Sequence, residues 1–583
     1  AMPLSQKRLL FNETHTASAN RLYRLDEEKQ LRFQLGYIHD RTTRQYGSEE
    51  IYYFAQDTVH TATNRHDRLK TDCLNAEVNY EDNTVSRYTR ENFSFAGTWK
   101  SGVSDITGDN AIFQKIKNSQ WELKNYFNQL YTKEKYTWGI RSYIRYTHCP
   151  ASLTVAHRNL PILFADNMLI ANCIYHRNEL SSSDNISENT YRTVIGQTHE
   201  SILAEYEEMN TGNAYTDNAL YGMRKINGVN YQLTGGFCGE LSSVKQENAY
   251  SAHSYSFYTV PRIEWERNDF LFTAATTVRW SHLPKQSYSR FCVSPFFCFR
   301  YKFTPRWKMS LLGSLDESEG GLKDIYPFRY REDYRTVVKH TGKVPVTVRQ
   351  LYTCYLEYKN TIKEFFWTLS ASYSHNRYNL ITERNYKDGN FYLSSVERNH
   401  SSHSYTLNTI GSKGIYDWNL KTSLELTLAR NEGKQLNEGI VQDYRYDYLC
   451  VEPKIVWAPS VFFEAEYKAT VSCVGGGIGE DTRLDPLWEV AQRLTLSLEF
   501  HDTEFCLSGE HFYNDLSKNQ HLNTWLADVS LIHKAGKWRF AASAINLFNK
   551  EQYRYTLYSA VQSYTSWIKL RPREFMVSVQ YQW

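Results

Sequence analysis

The strongest constraint on the fold is an alternation of apolar and polar residues with a period of two, and it runs to the end of the chain. In residues 573–583 the apolar positions are Phe575, Val577, Val579, Tyr581 and Trp583. This pattern predicts a strand with one apolar and one polar face. Chain ends of soluble domains are usually exposed and frayed. A terminal aromatic instead suits a strand whose outer face meets lipid. An edge strand of a β-sandwich is the alternative.

The same alternation recurs along the whole chain. It is clearest in residues 31–37, 365–373, 418–428, 461–469 and 494–500. No helical period of comparable length competes with it, and no run approaches the roughly 18 apolar residues that a membrane helix requires. Aromatic residues make up 15% of the chain and prolines number only 13, which favours strands. The sequence therefore predicts an all-β protein.

The predicted strands are joined by connections of two lengths. The short ones are polar turns at residues 26–29, 82–84, 133–135, 266–269, 458–460, 501–504 and 535–537. The long ones span residues 47–65, 316–345, 383–390, 431–439, 475–486 and 515–523. Long and short connections in alternation are typical of up-and-down barrels with short periplasmic turns and long extracellular loops. We therefore expect a transmembrane antiparallel up-and-down β-barrel of roughly 20–22 strands.

Strand parity adds an expectation about completeness. If Trp583 ends in the periplasm, the first clear strand, residues 18–25, runs inward. An odd number of barrel strands would then precede it. We therefore expect residues 1–583 to form one outer-membrane barrel domain from which a plug, and some first strands, are absent.

Composition excludes several classes of function. The chain has 67 basic and 64 acidic residues, a net charge of +3, which predicts no nucleic-acid partner. The ten cysteines are scattered without a CxxC spacing, so packing as small apolar residues is their expected role. The 18 histidines are also dispersed. We therefore expect neither a metal site nor a cofactor.

Several stretches resemble the barrel of a TonB-dependent outer-membrane receptor of the kind found in Bacteroidota. The most specific is Asn546-Leu547-Phe548-Asn549-Lys550, followed by Tyr553. The others are residues 3–12, 31–40, 538–540 and 571–575. The resemblance covers most of the chain as architecture, but only these stretches as motif.

This resemblance implies energised uptake of a scarce nutrient. It also implies a set of partners: the lipid bilayer, a plug domain in cis or on another chain, the TonB energy-coupling complex and a surface lipoprotein. The chain departs from the family pattern because nothing before Gln30 is long enough to be a plug. A structural or passive outer-membrane barrel is the alternative function, and a soluble all-β protein is the third.

Two groups of residues are candidates for ligand binding. The longest predicted loop contains an aromatic and basic cluster: Tyr326, Phe328, Arg329, Tyr330, Arg331, Tyr334 and Arg335. Aromatic rings offer rigid stacking surfaces and arginine offers forked hydrogen bonds to anions. Packing within the loop is the alternative role. The weaker group is Asp481, Arg483 and Asp485, for which a solvated charged loop is the alternative.

No catalytic set is expected. The dipeptides His39-Asp40, His66-Asp67 and His501-Asp502 invite comparison with His/Asp proteases of the outer membrane. Each pair falls near a predicted strand end, where Asp favours turns. No nucleophile or second acid is fixed nearby, so we expect no enzyme.

Overall fold

A computed structural model of the chain describes residues 8–582, except 10, 54–57, 109–110, 135, 158–189, 195–200, 247–248, 334, 388–389, 480–481, 518–519 and 559–561. The described residues are almost entirely strand. The strands are β1 (Phe11–Arg24), β2 (Lys29–Tyr53), β3 (Thr58–Asn83), β4 (Arg87–Gly108), β5 (Ile112–Lys133), β6 (Tyr136–His157), β7 (Thr190–Val194), β8 (Ser201–Ile226), β9 (Val229–Lys245), β10 (Ala249–Arg267), β11 (Phe270–Leu283), β12 (Tyr288–Thr304), β13 (Trp307–Glu319), β14 (Tyr330–Arg331), β15 (Thr336–Lys339), β16 (Val346–Asn360), β17 (Phe365–Lys387), β18 (Asn390–Ile415), β19 (Leu420–Asn437), β20 (Ile440–Ser460), β21 (Phe463–Ile478), β22 (Thr482–Phe500), β23 (Thr503–Ser517), β24 (Gln520–Ala535), β25 (Trp538–Ile545), β26 (Gln552–Tyr558), β27 (Gln562–Lys569) and β28 (Glu574–Tyr581). One short helix, α1 (Leu322–Ile325), and two 3₁₀ turns, Pro284–Gln286 and Tyr416–Trp418, complete the described elements.

The long strands form one antiparallel up-and-down ring. Each pairs with its neighbours in sequence, and β27 closes the ring by pairing with β2, from Tyr46–Ile568 to Tyr52–Gln562. Strands β25 and β26 together occupy one place in the ring, and so do β27 and β28. With these two interrupted strands, the ring has 22 strand positions in the described part of the chain. The predicted fold class and strand number are therefore confirmed.

Strand β1 lies beside the lower half of β2 and is not counted among the 22 positions. It pairs with the lower half of β2, from Phe11–Thr43 to Arg24–Gln30, on the side where β27 pairs with the upper half. The parity expectation took residues 18–25 as the first clear strand, and β1 covers most of them and pairs antiparallel with β2. The absence of a plug and of some first strands stays a prediction. Strand β2, the first of the 22 counted positions, begins at the same end of the barrel at which β28 ends.

The two faces of the wall differ in chemistry as the alternation predicts. Leu424, Leu426, Leu494 and Leu496 share the outward face, and none of them is buried, with Leu424 51% and Leu494 45% exposed. The inward face of the same strands carries hydrogen-bonded polar side chains, for example Asn408 donating to Glu425 and Thr427 at 2.8 and 2.9 Å. These leucines therefore do not point into a sealed apolar centre.

The strands are longer, and their outer connections shorter, than the sequence predicts. Residues 47–65 were expected to form a loop, yet β2 and β3 continue through most of them. Residues 431–439 are likewise ladder up to a two-residue turn at Glu438 and Gly439, both with positive φ. Similar extensions shorten the predicted loops at 383–390, 475–486 and 515–523. Polar strand ends lack the apolar alternation that marks the membrane-embedded part, which is why the prediction ended the strands too early.

The motif of residues 546–550 interrupts the ring strand made of β25 and β26, and residues 570–573 interrupt the one made of β27 and β28. Asn546 and Asn549 adopt left-handed backbone conformations, with φ of 54° and 51°, which asparagine tolerates better than most residues. The buried Asn546 side chain donates to the carbonyls of Lys550 and Arg571 at 2.9 and 2.8 Å and accepts from the Lys550 amide at 3.0 Å. The hairpin β26–β27 beyond this break contacts β23, where Asn514 donates to the buried Tyr553 hydroxyl at 2.9 Å.

Among the described residues no helix is long and apolar enough to cross a membrane.

Candidate functional site at the barrel mouth

A folded connection between β13 and β16, residues 320–345, crosses the outer mouth of the barrel, and we call it the lid. It contains α1 and the small hairpin β14–β15. Strand β15 also pairs in parallel with the outer end of β18, from Thr336–Phe391 to Lys339–Ser394. Since β13 and β16 lie opposite β2 in the ring order, a connection that starts there can span the mouth.

The root of the lid packs on the inner wall through apolar side chains. Ile325 and Tyr326 are each only 2% exposed and join a buried cluster with Val244, Tyr250, Ala252, Leu283 and Val344. The Tyr326 hydroxyl donates to Gln246 at 2.8 Å, and its ring meets that of Tyr250 at a centroid distance of 5.8 Å. Burial of this aromatic cluster fixes the near end of the lid to β9–β11.

The far end of the lid reaches β2 on the opposite side of the ring. Arg335 Nη2 forms an ion pair with Glu50 Oε2 at 2.8 Å, and both side chains are largely buried. The Arg335 guanidinium also lies over the ring of Phe391, whose centroid is 4.4 Å from that of Tyr52. Tyr52 in turn donates to Glu50. These contacts close the mouth between the lid, the β17–β18 tip and β2.

Polar contacts hold the middle of the lid. The backbone amide of Arg331 donates to both carboxylate oxygens of Glu207 at 3.1 and 2.9 Å, and its side chain donates to Asn390 at 3.3 Å. The guanidinium of Arg329 lies 4.9 Å from the ring centroid of Tyr392. Burial, with nearby carboxylates adding to it, raises the pKa of Tyr330. The middle of the lid is therefore tied to strands on both sides.

The structure places the predicted ligand-binding residues in two separate regions. Of the aromatic and basic cluster, Tyr326, Arg331 and Arg335 make the lid contacts described above, and the Tyr330 ring lies beside that of Tyr326. Phe328 and Arg329 are exposed at the mouth. The Phe328 ring also meets those of Tyr250 and Tyr326, and the Arg329 guanidinium lies over Tyr392. Tyr334 and Asp481 lie outside the described residues. Arg483 and Asp485 belong to β22 and are exposed. Ligand binding by either group stays a prediction.

Sequence reasoning missed the wall residues that hold the lid. Glu50, Tyr52, Glu207, Gln246 and Phe391 come from four different strands or connections far along the chain from the residues they contact. Arg335 and Glu50, for example, are 285 positions apart. No local pattern signals such a pairing, because it depends on ring closure. The excess of arginines in the predicted loop was the only available sign that carboxylate partners were needed.

A second anchored segment lies inside the barrel wall. Arg8 is 5% exposed, and its guanidinium donates to Glu510 at 2.8 Å and to Asp528 at 3.1 and 2.8 Å. Glu510 also accepts from Arg493, and Asp528 accepts from the Asn546 amide at 2.8 Å. The adjacent Leu9 packs on Phe512, Leu526, Tyr553 and Leu570. Residues 8–9 therefore bind the inner face of the wall at the strand interruption.

The histidine–aspartate dipeptides do not form pairs. His39 contacts Asp72 of β3 through Nδ1 at 2.7 Å, whereas Asp40 accepts from Thr14 and Thr42 on the other face of β2. Asp67 contacts Tyr46 and Ser104, and His501 lies in a turn with φ of 52°. Consecutive strand residues point to opposite faces, which separates His39 from Asp40 and His66 from Asp67. No group of three or more His, Cys, Asp or Glu side chains converges as a metal site within the described residues.

A closed up-and-down barrel with an apolar outer face and a polar lumen defines a membrane-spanning β-barrel, the architecture of bacterial outer-membrane proteins. The chain is similar to solved structures of such barrels. It matches the outer membrane transporter YddB from Escherichia coli with a TM-score of 0.49 and 9% identity, covering 97% of this chain and 76% of that one.

Two further solved structures give comparable values. For a mutant of the ferric enterobactin receptor PfeA from Pseudomonas aeruginosa the TM-score is 0.45 at 11% identity, over 96% of this chain and 80% of that one. For the ferric yersiniabactin uptake receptor FyuA from Yersinia pestis the TM-score is 0.44 at 8% identity, over 99% of this chain and 81% of that one. No protein-family model and no curated protein matches the sequence. The class assigned above rests on the ladders and on the two wall faces.

Proposed function

We propose that this chain is the barrel of an outer-membrane receptor that takes up a scarce nutrient in a TonB-dependent manner. The lid is the observation that carries this proposal. A ring of 22 strands is too wide for its own side chains to fill, so it needs a plug or leaves a channel. A passive pore has no need of a mouth covered by a connection anchored on opposite walls, whereas a receptor that captures ligand from outside does.

The proposal assigns the recognition surface to the outer side of the lid. Phe328 and Arg329 are the exposed members of the aromatic and basic cluster. An exposed ring and a guanidinium provide stacking and forked hydrogen bonding to an anionic or aromatic ligand. A plug domain, the TonB complex and a surface lipoprotein are the proposed partners. No catalytic step is part of the proposed mechanism.

Uptake by cells that express the intact gene product tests the proposal directly. The probes are a labelled cobalamin, a ferric siderophore, a peptide mixture and an oligosaccharide, each measured with and without TonB. We expect one probe to accumulate only when TonB is present, and to accumulate less in the double variant Phe328→Ala/Arg329→Gln. Equal uptake of every probe with and without TonB would contradict energised transport.

The second candidate function is a passive outer-membrane pore, favoured by the polar lumen face. Conductance of the purified chain in planar bilayers separates the two functions. A receptor barrel with its lid closed gives small and intermittent currents. A large steady current from the unmodified chain, equal to that of a lid-anchor variant, would favour the pore.

A further inference from the structure

A groove on the outward face of the barrel lies away from the mouth and from the lid. It has a volume of 1020 Å³ and extends over strands from β12 round to β22. Most of its lining residues share the face of Leu428 and Leu449, which is the face turned to lipid; the others, such as Thr406 and Ala429, alternate with them along the strands. A cavity of this size on a membrane-facing wall is comparable to ligand pockets.

The membrane-side part of the groove is a row of apolar residues in register across six neighbouring strands. The row is Cys354, Ala371, Leu407, Leu428, Leu449 and Cys473. Small side chains at three of the six positions leave a depression, which the larger Phe297 and Tyr352 border. This part offers the uncharged, concave surface that acyl chains fill.

In the next row toward the outer mouth, the apolar side chains are replaced by tyrosines and charged residues. The next row in register is Tyr352, Tyr373, Tyr405, Arg430, Asp447 and Gly475. The three tyrosine rings follow one another at centroid distances of 6.5 and 5.1 Å. Aromatic side chains in such a row mark the level of the lipid headgroups. The charged residues beside them therefore lie at the height of a lipid phosphate.

Three arginines and one aspartate form this rim. Arg430 Nε and Arg445 Nε contact the two oxygens of Asp447 at 2.6 and 2.9 Å, which orients both guanidinium groups and leaves further N–H donors on each. Arg483 is exposed and has no ion-pair partner within the described residues. The charged residues of the lining thus carry a formal charge of +2, from three arginines and one aspartate.

The outermost row of the groove is shaped for a compact anion. Arg445 pairs with Gly477, and Gly477 pairs with Arg483, so the two arginines flank a glycine. Two strand spacings separate them, about 10 Å. Glu432 lies in this same row on the other side of Arg445, and the ion pair Lys434–Asp443, at 3.7 Å, lies one step further out. Arginines on either side of a position without a side chain suit a phosphate group, which accepts forked hydrogen bonds.

We propose that this groove binds a phosphorylated, multiply acylated lipid of the surrounding outer leaflet. The acyl chains lie along the apolar row, and the phosphate lies between Arg445 and Arg483 with Arg430 beside it. The headgroup-level tyrosines and the net positive rim favour this occupant over a second copy of the chain, whose outer wall is itself apolar and convex. The site is independent of what the lumen transports.

Native mass spectrometry of the detergent-purified protein tests the proposal. The protein is titrated with bisphosphorylated lipid A and, in parallel, with phosphatidylcholine, which has acyl chains but a zwitterionic headgroup. We expect lipid A to bind at least about tenfold more tightly. The variant Arg445→Gln/Arg483→Gln should lose about tenfold to a hundredfold in lipid A affinity, because hydrogen bonds to charged groups contribute about a factor of ten each.

Two matched controls separate this site from general attraction to lipid. Arg68 lies on the outward face of β3, is 45% exposed and pairs with Asp105 at 3.6 Å, but is not part of the groove. Arg68→Gln should leave lipid A affinity unchanged. Ala371→Phe fills the groove and should weaken binding about tenfold, whereas Ala76→Phe, on the outward face of β3, should not.

Three results would overturn the proposal. The first is equal affinity of the unmodified protein for both lipids, a comparison that needs no variant to fold. The second is an equal loss of affinity in Arg68→Gln and in Arg445→Gln/Arg483→Gln. The third is a stable dimer that excludes lipid A, which would assign the groove to a second copy of the chain.

Discussion

A single side chain, that of Asn546, supplies hydrogen bonds where the ladder is interrupted between β25 and β26. Asn546 combines a left-handed backbone with three side-chain hydrogen bonds, two to Lys550 between β25 and β26 and one to Arg571 between β27 and β28. Its side chain thus replaces ladder bonds that the interruption removes. The motif that carried the family resemblance is therefore explained by local hydrogen bonding.

Replacing Asn546 tests this explanation. We expect Asn546→Ala to lower the free energy of unfolding by about 3 kcal/mol, because buried carbonyls lose their donors and alanine disfavours positive φ. Asn546→Gly relieves the backbone strain but not the lost bonds, so it should recover only about 1 kcal/mol. Urea unfolding in detergent measures both. Full recovery with glycine would show that the side-chain bonds contribute nothing.

Arg8 is the second residue whose loss should be costly. Arg8→Ala leaves the carboxylates of Glu510 and Asp528 short of a partner inside the wall, and removing one member of a buried ion pair costs about 3 kcal/mol or more. Arg21→Ala, an exposed arginine on β1, should change stability by less than about 0.5 kcal/mol. Thermal unfolding of both variants checks the difference. Equal losses would mean that the Arg8 network contributes little stability.

At the scale of elements, the lid is held at both ends by interactions of different kinds. Its root is an apolar cluster around Tyr326, which is expensive to expose. Its far end depends on the ion pair between Arg335 and Glu50. An opening motion would therefore release the far end first and pivot on the root.

A charge swap tests the far contact. Arg335→Glu and Glu50→Arg each place like charges together and should free the lid, raising bilayer conductance and protease cleavage within residues 320–345. The double variant restores an ion pair and should recover about 1–3 kcal/mol of coupling. Conductance traces of the two single variants and the double variant provide the measurement. If the double variant had the same conductance as either single variant, the Arg335–Glu50 ion pair would not be what holds the far end of the lid.

The sequence predicted strands correctly where apolar residues alternate with polar ones. It missed the parts of strands in which both faces are polar. Leu424, Leu426 and Leu494 were correctly predicted to face outward, because a wall that faces lipid on one side requires a strict period of two. The outer ends of β2, β3 and β19 were missed, since polar residues pair as well as apolar ones there but leave no signal. The aromatic and basic cluster was located correctly, but its wall partners could not be predicted, because the ring brings distant residues together only after it closes.

At the scale of the whole molecule, the proposed function depends on which face of the barrel wall meets lipid and which meets the lumen. Outward leucines and inward polar networks make the wall stable only between hydrocarbon and water. The mouth, the lumen and the lipid groove all take their positions from this assignment. If the faces were exchanged, the lid contacts of Glu50 and the rim of Arg430 would both lie on the wrong side.

Two adjacent substitutions on β19 decide between the faces. Leu424 lies between the inner end of the strand at Leu420 and the rim at Arg430, which places it near the bilayer midplane. Leu424→Arg should cost about 2–4 kcal/mol when the protein folds into lipid vesicles. Ser423→Arg changes the preceding residue, which faces the lumen, and should cost less than about 1 kcal/mol. Folding titrations in vesicles of one composition compare them, and the larger loss must fall on Leu424, because only a side chain in hydrocarbon is deprived of water.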